Sequence, residues 1–403
     1  MKGGLVIGAL LVAACSDVGA QDANGGSGGQ TSAGGSFGSG GWTSAAGSFG
    51  NGGWTSAGGS FGGAGGSFGN GGWTSGGGSF GSGGQWIGAG GAWDEWGKEC
   101  IPDDDEVTSG GAATSCSGVP SRMPVKRVLV SGASSPDGLI YLFGGQATRT
   151  RTSACHAPLM AYDPATGRYR TLASAPVSLY DTPAVVFTNG TLMALDRELV
   201  LYDPATDSWR KGVAPPRILV ARAATVAPDG RVFFLGGVPW GDAAPDRADA
   251  YDPVTETWSS LPPLPFGSQW SRAVTAGGRV YVVGIQTAVF DPATQQWTEL
   301  PKPPTERYDL GAGVDPQGRI ITFGGSPIGG PGPTNVVEIF DPVAASWSTG
   351  PRMAAATSMF ATGTACGGRL FAFGGENGEP GPLDALDLAQ VYAPENGSWM
   401  VSR

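Results

Sequence analysis

A heptad that recurs six times limits what this chain can fold into more than any other feature. It reads DPATDSW at 203–209, DPATGRY at 163–169, DPVTETW at 252–258, DPATQQW at 291–297, DPVAASW at 341–347 and APENGSW at 393–399. Successive copies begin 39 to 52 residues apart. A period of that size means a solenoid, a propeller or an array of small units, each too small to bury its own apolar face.

Each copy has a physical reading. The Asp carboxylate accepts backbone N–H bonds at the head of a turn and the Pro sets φ at the next position, so the motif closes a tight β-turn. Just before each turn runs an alternating strand ending in an aromatic or its equivalent: LMAYD, ELVLYD, ADAYD, TAVFD, VEIFD and AQVYA. Each heptad is therefore predicted to be the tip of a hairpin, with its final aromatic on the following strand. A further strand of fixed style lies upstream: GLIYLFGG to Gly145, GRVFFLGG to Gly237, GRVYVVG to Gly284, GRIITFGG to Gly325 and GRLFAFGG to Gly375. The second repeat has TLMALD to Asp196 instead. The Gly pair permits positive φ, or a close backbone approach, where that strand ends.

Strand, Gly pair, loop, strand ending in Tyr or Phe, tight turn, Trp: this succession, over roughly 121–403, resembles the kelch repeat of β-propellers. Departures are the missing Gly pair in repeats two and four, Tyr169 in place of Trp in repeat one, and Ala393 in place of Asp in repeat six. The resemblance implies an all-β, six-bladed propeller of four-stranded blades, with aromatics filling the gaps between neighbours. VKRVLVSGAS reads as the innermost strand of blade one and Trp399-Met400-Val401 as the outermost strand of blade six. No strand is then shared between first and last blades, although many kelch propellers share one, and closure rests on packing blade one against blade six.

The preceding segments differ in composition. Residues 1–14 carry Lys2 and the apolar run LVIGALLVAA, a secretory signal pattern too short to span a bilayer as a helix. Val12-Ala13-Ala14-Cys15 resembles a bacterial lipobox, which implies lipidation of Cys15, residues 15–20 as the anchored N-terminus, and a place in the cell envelope. Residues 21–98 are a Gly/Ser-rich repeat, GSFGNGGWTSAG and its variants, expected to stay disordered as a tether. Its regularly spaced Phe and Trp allow a second role as weak stickers, in which case the tether is the working part and the propeller its display head. Residues 99–120 form a Cys-containing cap. With Cys15 lipidated, four cysteines remain. Cys100 with Cys116 is the local pairing, Cys116 with Cys155 the rival, and Cys366 is expected to be buried and unpaired. The run at 103–106, DDDE, lacks the alternating ligands and Gly of a calcium loop.

Blade topology separates two faces. The turns between strands one and two and between strands three and four are short and lie together. The connections between strands two and three lie on the opposite face with the crossings to the next blade. Four of these connections are long: QATRTRTSAC, VPWGDAAPDRAD, SPIGGPGPTN and ENGEPGPLDALDLA. Binding residues concentrate on such loops. Aligned crossings place Asp181, Arg222, Arg272 and Asp309 at similar positions near the channel mouth, with Tyr180, Tyr308, Trp270 and Trp240 close by. Guanidiniums, carboxylates and aromatics at a rim suit a sugar or a carboxylate-bearing peptide. The structural alternative is that Arg and Asp of adjacent blades pair across the channel.

The net charge of −10 argues against nucleic acid. The single His, His156, leaves no zinc spacing, no copper-oxidase site and no convincing serine triad, so neither metal nor cofactor is expected. The six-bladed kelch mutarotase of sialic acid is the nearest enzymatic analogue, because its exchange at an anomeric centre needs only Arg, Glu and Asp. Glu306 and Glu376 are the available bases. The preferred reading is a monomeric, lipid-anchored binding module that meets a protein or glycan partner through its long-loop face. A sugar mutarotase or epimerase is the alternative.

Overall fold

The computed structural model describes Cys116 and residues 119–146, 158–179, 182–238, 246–378 and 385–402. Six four-stranded antiparallel sheets follow one another along the chain, each ordered in sequence from channel to rim. Their inner strands are Val128–Ser134, Ala184–Val186, Val220–Val226, Arg272–Ala276, Gly311–Val314 and Ala361–Ala365. Each inner strand lies against those of both neighbours, the first against the last included, so the ring is closed. The expected six-bladed β-propeller is the fold.

Alternation along the strands puts one apolar cluster at each of the six blade interfaces. Phe233 of blade three and Phe290 of blade four, for example, meet edge-on with ring centroids 5.5 Å apart. The heptads act as the residue types require. Asp163, Asp203, Asp252, Asp291 and Asp341 each accept the N–H two residues on, at 2.8–2.9 Å. In the last blade, where Ala393 cannot do this, Asn396 accepts the N–H of Ser398 instead, at 3.1 Å. In blades two to five the terminal Trp welds its blade to the one before. The indole N–H groups of Trp209, Trp258, Trp297 and Trp347 donate to the carbonyls of Ala173, Val213, Pro262 and Pro301, where the chain leaves the preceding blade.

Backbone N–H bonds hold Asp252, Asp291 and Asp341 below the ordinary carboxylate range. A folded-state value below the unfolded one gives stability that is present above about pH 4 and lost as pH falls through the folded value. The melting temperature should therefore hold between pH 7 and 5 and fall below about pH 4. A melting temperature unchanged down to pH 2 would show that these turns do not stabilise the folded state through their charge.

The Gly pairs do both things expected of them. Gly144, Gly145, Gly236, Gly237, Gly324, Gly325, Gly374 and Gly375 all have φ between +61° and +99°. The crossing that leaves each blade passes directly over its pair: Gly145 donates to Leu179 O at 2.9 Å, Gly237 to Ser268 O at 2.7 Å and Gly325 to Thr357 O at 2.8 Å. In blade six the same bond runs from Gly375 to Arg127 O, at 2.8 Å.

That last bond shows how the ring closes. Blade six has no following blade in the chain, and residues 119–127, ahead of blade one, take the place of its outgoing crossing. Met123 N–H bonds Asp387 O at 2.8 Å, as Leu264 bonds Asp246 and Met353 bonds Asn335 in their blades. Arg127 and Leu386 form an antiparallel bridge, and Arg122 pairs with Asp387 at 2.6 Å. The Tyr169 hydroxyl donates to Ser121 O at 2.9 Å, repeating the Trp weld. No sheet strand is shared, as expected, but closure is more than packing of blade one on blade six.

The cysteine expectations need correction. Cys116 is bonded to Cys366, across 250 residues, with Cα atoms 5.8 Å apart. It is not paired with Cys100, and Cys366 is half-buried and bonded rather than buried and free. Cys116 itself lies against blade six, where Arg369 donates to its carbonyl and binds Glu395. Cys15, Cys100, Cys155 and His156, with the signal, tether and most of the cap, lie outside the described residues.

Candidate functional site at the channel mouth

The mouth is framed by backbone. At the entry to each described inner strand save that of blade two, one non-glycine residue adopts a left-handed conformation: Leu129 (φ 57°), Ala221 (58°), Trp270 (47°), Asp309 (54°) and Met359 (56°). Side chains rarely accept this region, which costs about 1 kcal/mol or more. Here it turns four of the five N–H groups toward the preceding blade. Trp270 donates to Ala221 O at 3.0 Å, Asp309 to Trp270 O at 3.1 Å, Met359 to Asp309 O at 3.3 Å and Leu129 to Met359 O at 2.9 Å. These bonds tie the blades into a fixed rim.

Against this frame the aligned residues separate. Asp309 is a rim residue, Arg222 is one place beyond its rim residue Ala221, and Arg272 is two beyond Trp270. Consecutive strand residues point to opposite sides, so the offset decides their fates. Arg222 turns into its own blade, where Nη2 donates to Asp249 Oδ2 at 2.7 Å and to Phe234 O at 2.6 Å, both charged side chains being 1% exposed. Burial lowers its pKa and Asp249 opposes the shift. Arg222 is thus a structural cation, paired within its blade rather than across the channel.

Arg272 stays half-buried on the channel wall. Trp270 and Tyr308, also half-buried, tilt against each other with centroids 6.4 Å apart, and Asp309 is buried beside them. The connection after Gly325 folds back here: Arg307–Tyr308 pairs with Ser326–Pro327 as a two-stranded ribbon, leaving Ile328 exposed. Tyr180, Asp181 and Trp240 lie outside the described residues. Of the bases considered, Glu306 is on the surface with Lys302, and Glu376 is buried, accepting from Ser358 Oγ at 3.4 Å.

Below the mouth the inner strands enclose a cavity of about 370 Å³. Its wall is made of small side chains, including the hydroxyls of Ser131, Ser134, Thr225, Thr275 and Thr364, with Arg222 and Arg272 among its residues. Several hydroxyls stitch neighbouring strands: Ser131 Oγ accepts Thr182 N–H at 2.9 Å, Ser134 Oγ accepts Thr364 N–H at 2.6 Å, and Thr275 Oγ1 donates to Val226 O at 2.6 Å. No described wall residue is Asp, Glu or His, and no described cluster of His, Cys, Asp and Glu could hold a metal.

Sequence reasoning missed Glu338 and Asp249 and the structural duty of Arg307. Arg307 is 1% exposed and binds Gly324 O, Val336 O, Thr322 Oγ1 and Glu338 Oε2 at 2.7 to 3.0 Å. The signal was present in the third strands. ADAYD, VEIFD and AQVYA carry a polar residue three places before the turn, where the other three blades have Met160, Val200 and Ala288. Gln390, the third of these, holds Ala355 N–H at 2.8 Å and Ala355 O at 3.2 Å.

No family model matches the sequence, and no curated protein matches it. Among solved structures 862 chains match, a breadth that fits a fold hosting many functions. One, titled "Structure of YjhT", is similar over 71% of this chain and 100% of its own, with 15% identity and a TM-score of 0.58. The likeness is one of fold.

Proposed function

We propose that this chain is a surface-anchored lipoprotein whose kelch-type propeller is a binding module, engaging a polar partner at the channel mouth and across the long-loop face. The carrying observation is the mouth itself. Arg272 is half-buried on the cavity wall, two residues on from Trp270, which tilts against Tyr308. Aromatic faces suit a sugar ring or peptide side chain, and a guanidinium offers a fork for a carboxylate. Cys15 serves as the anchor and residues 21–98 as the tether that holds the propeller off the membrane.

Calorimetry with cell-wall polymers and acidic glycans tests this on the chain lacking only its signal. The Trp270→Ala/Arg272→Ala variant should bind at least about tenfold more weakly while melting within a few degrees of wild type. Arg222 makes a poor probe, because its loss strands Asp249. Binding equal to wild type in the double variant would move the site off the mouth, and turnover of the bound sugar would favour the mutarotase reading.

A further inference from the structure

We propose that the Cys116–Cys366 disulfide is a redox-sensitive clasp that decides whether the propeller ring is closed between blades one and six. Five of the six blade junctions are crossed by continuous chain. The sixth is made by two remote pieces, residues 119–127 and blade six, joined by the Arg127–Leu386 bridge, the Arg122–Asp387 pair and the disulfide. Gly132 shows how tightly the inner strands meet there: a Cβ on it would lie 2.6 Å from Thr362 O. The seam packs well but has no chain of its own to hold it.

A bond spanning 250 residues restricts the open chain far more than a local one. It also sits at the end of the segment it secures. With the bond intact, residues 119–127 cannot drift from blade six. A dithiol reductant breaks it by thiolate attack through a mixed disulfide. Two electrons and two protons pass to the protein, giving thiols at Cys116 and Cys366, while the reductant becomes its cyclic disulfide. The segment is then held by its hydrogen bonds, its ion pair and the burial of Met123 between blades one and six, with no covalent link to blade six, and the ring opens first at this one seam.

The test is amide hydrogen exchange on the chain without its signal, comparing wild type, Cys116→Ser, Cys366→Ser and dithiol-treated wild type. In all three altered forms, protection of Val128–Ser134, Ala361–Ala365 and residues 119–127 should fall by about 30-fold or more, with blades three and four changed by less than about threefold. The melting temperature should fall by roughly 5–15 °C. Protection that falls evenly around all six blades, or does not change, overturns the clasp. Should the serine variants fail to fold, the dithiol-treated folded protein still decides the matter.

Discussion

Replacing Arg307 by Ala should cost about 3–5 kcal/mol, read by urea denaturation at pH 7. The guanidinium is 1% exposed and is held by two carbonyls, a hydroxyl and Glu338, itself 3% exposed. Its removal leaves a buried carboxylate without a counter-charge and takes a donor from Gly324 O, while Val336 O keeps the Gly324 N–H, and unpaired buried groups carry the full penalty of desolvation. The control separates that penalty from any intrinsic worth of the pair. Arg307→Met with Glu338→Leu removes both charges and should lie within about 1–2 kcal/mol of wild type, because a buried ion pair roughly balances its own desolvation. A single variant costing under 1 kcal/mol would show that water reaches Glu338. The same argument applies to Arg222 and Asp249, both 1% exposed in their side chains.

Gly236→Ala should destabilise by more than about 3 kcal/mol, while Gly230→Ala should cost about 1–2 kcal/mol. Both glycines are left-handed, with φ of +66° and +85°, so backbone strain is similar at the two sites. The difference is space. A Cβ at Gly236 would fall 2.2 Å from Ser268 O, on the crossing that Gly237 must bind, whereas nothing lies within 4 Å of one at Gly230. Because the obstacle is backbone, no rotamer change relieves it, and the crossing must lift off its blade. Thermal denaturation of the two variants checks the ranking. Equal losses would mean that conformational strain alone explains the Gly pair.

What could be read from the residue order follows from how local each interaction is. The Asx-type turns, their Pro, the terminal aromatic and the Gly pair act within a few residues of each other or repeat in every blade, so their signals reinforce. The crossing of blade six was also legible in part. SRM at 121–123 resembles PRM at 351–353, and the two methionines make the same bond in their crossings. It was obscured because the segment lies about 250 residues from the blade it completes.

The sequence by itself determined the repeat, the blade count, the order of strands within each blade and the face on which long loops gather, because turn chemistry and alternation are properties of short stretches. Tertiary structure alone decided which charged side chains face the channel. Arg222 and Arg272 look equivalent in the aligned crossings, yet their places differ by one residue relative to the rim. One residue on a strand exchanges one face of the sheet for the other, so that of these two wall residues Arg222 buries its guanidinium against Asp249 and Arg272 stays half-buried. It likewise decided that Cys116 meets Cys366, since partners so distant in sequence are brought together only when the ring closes.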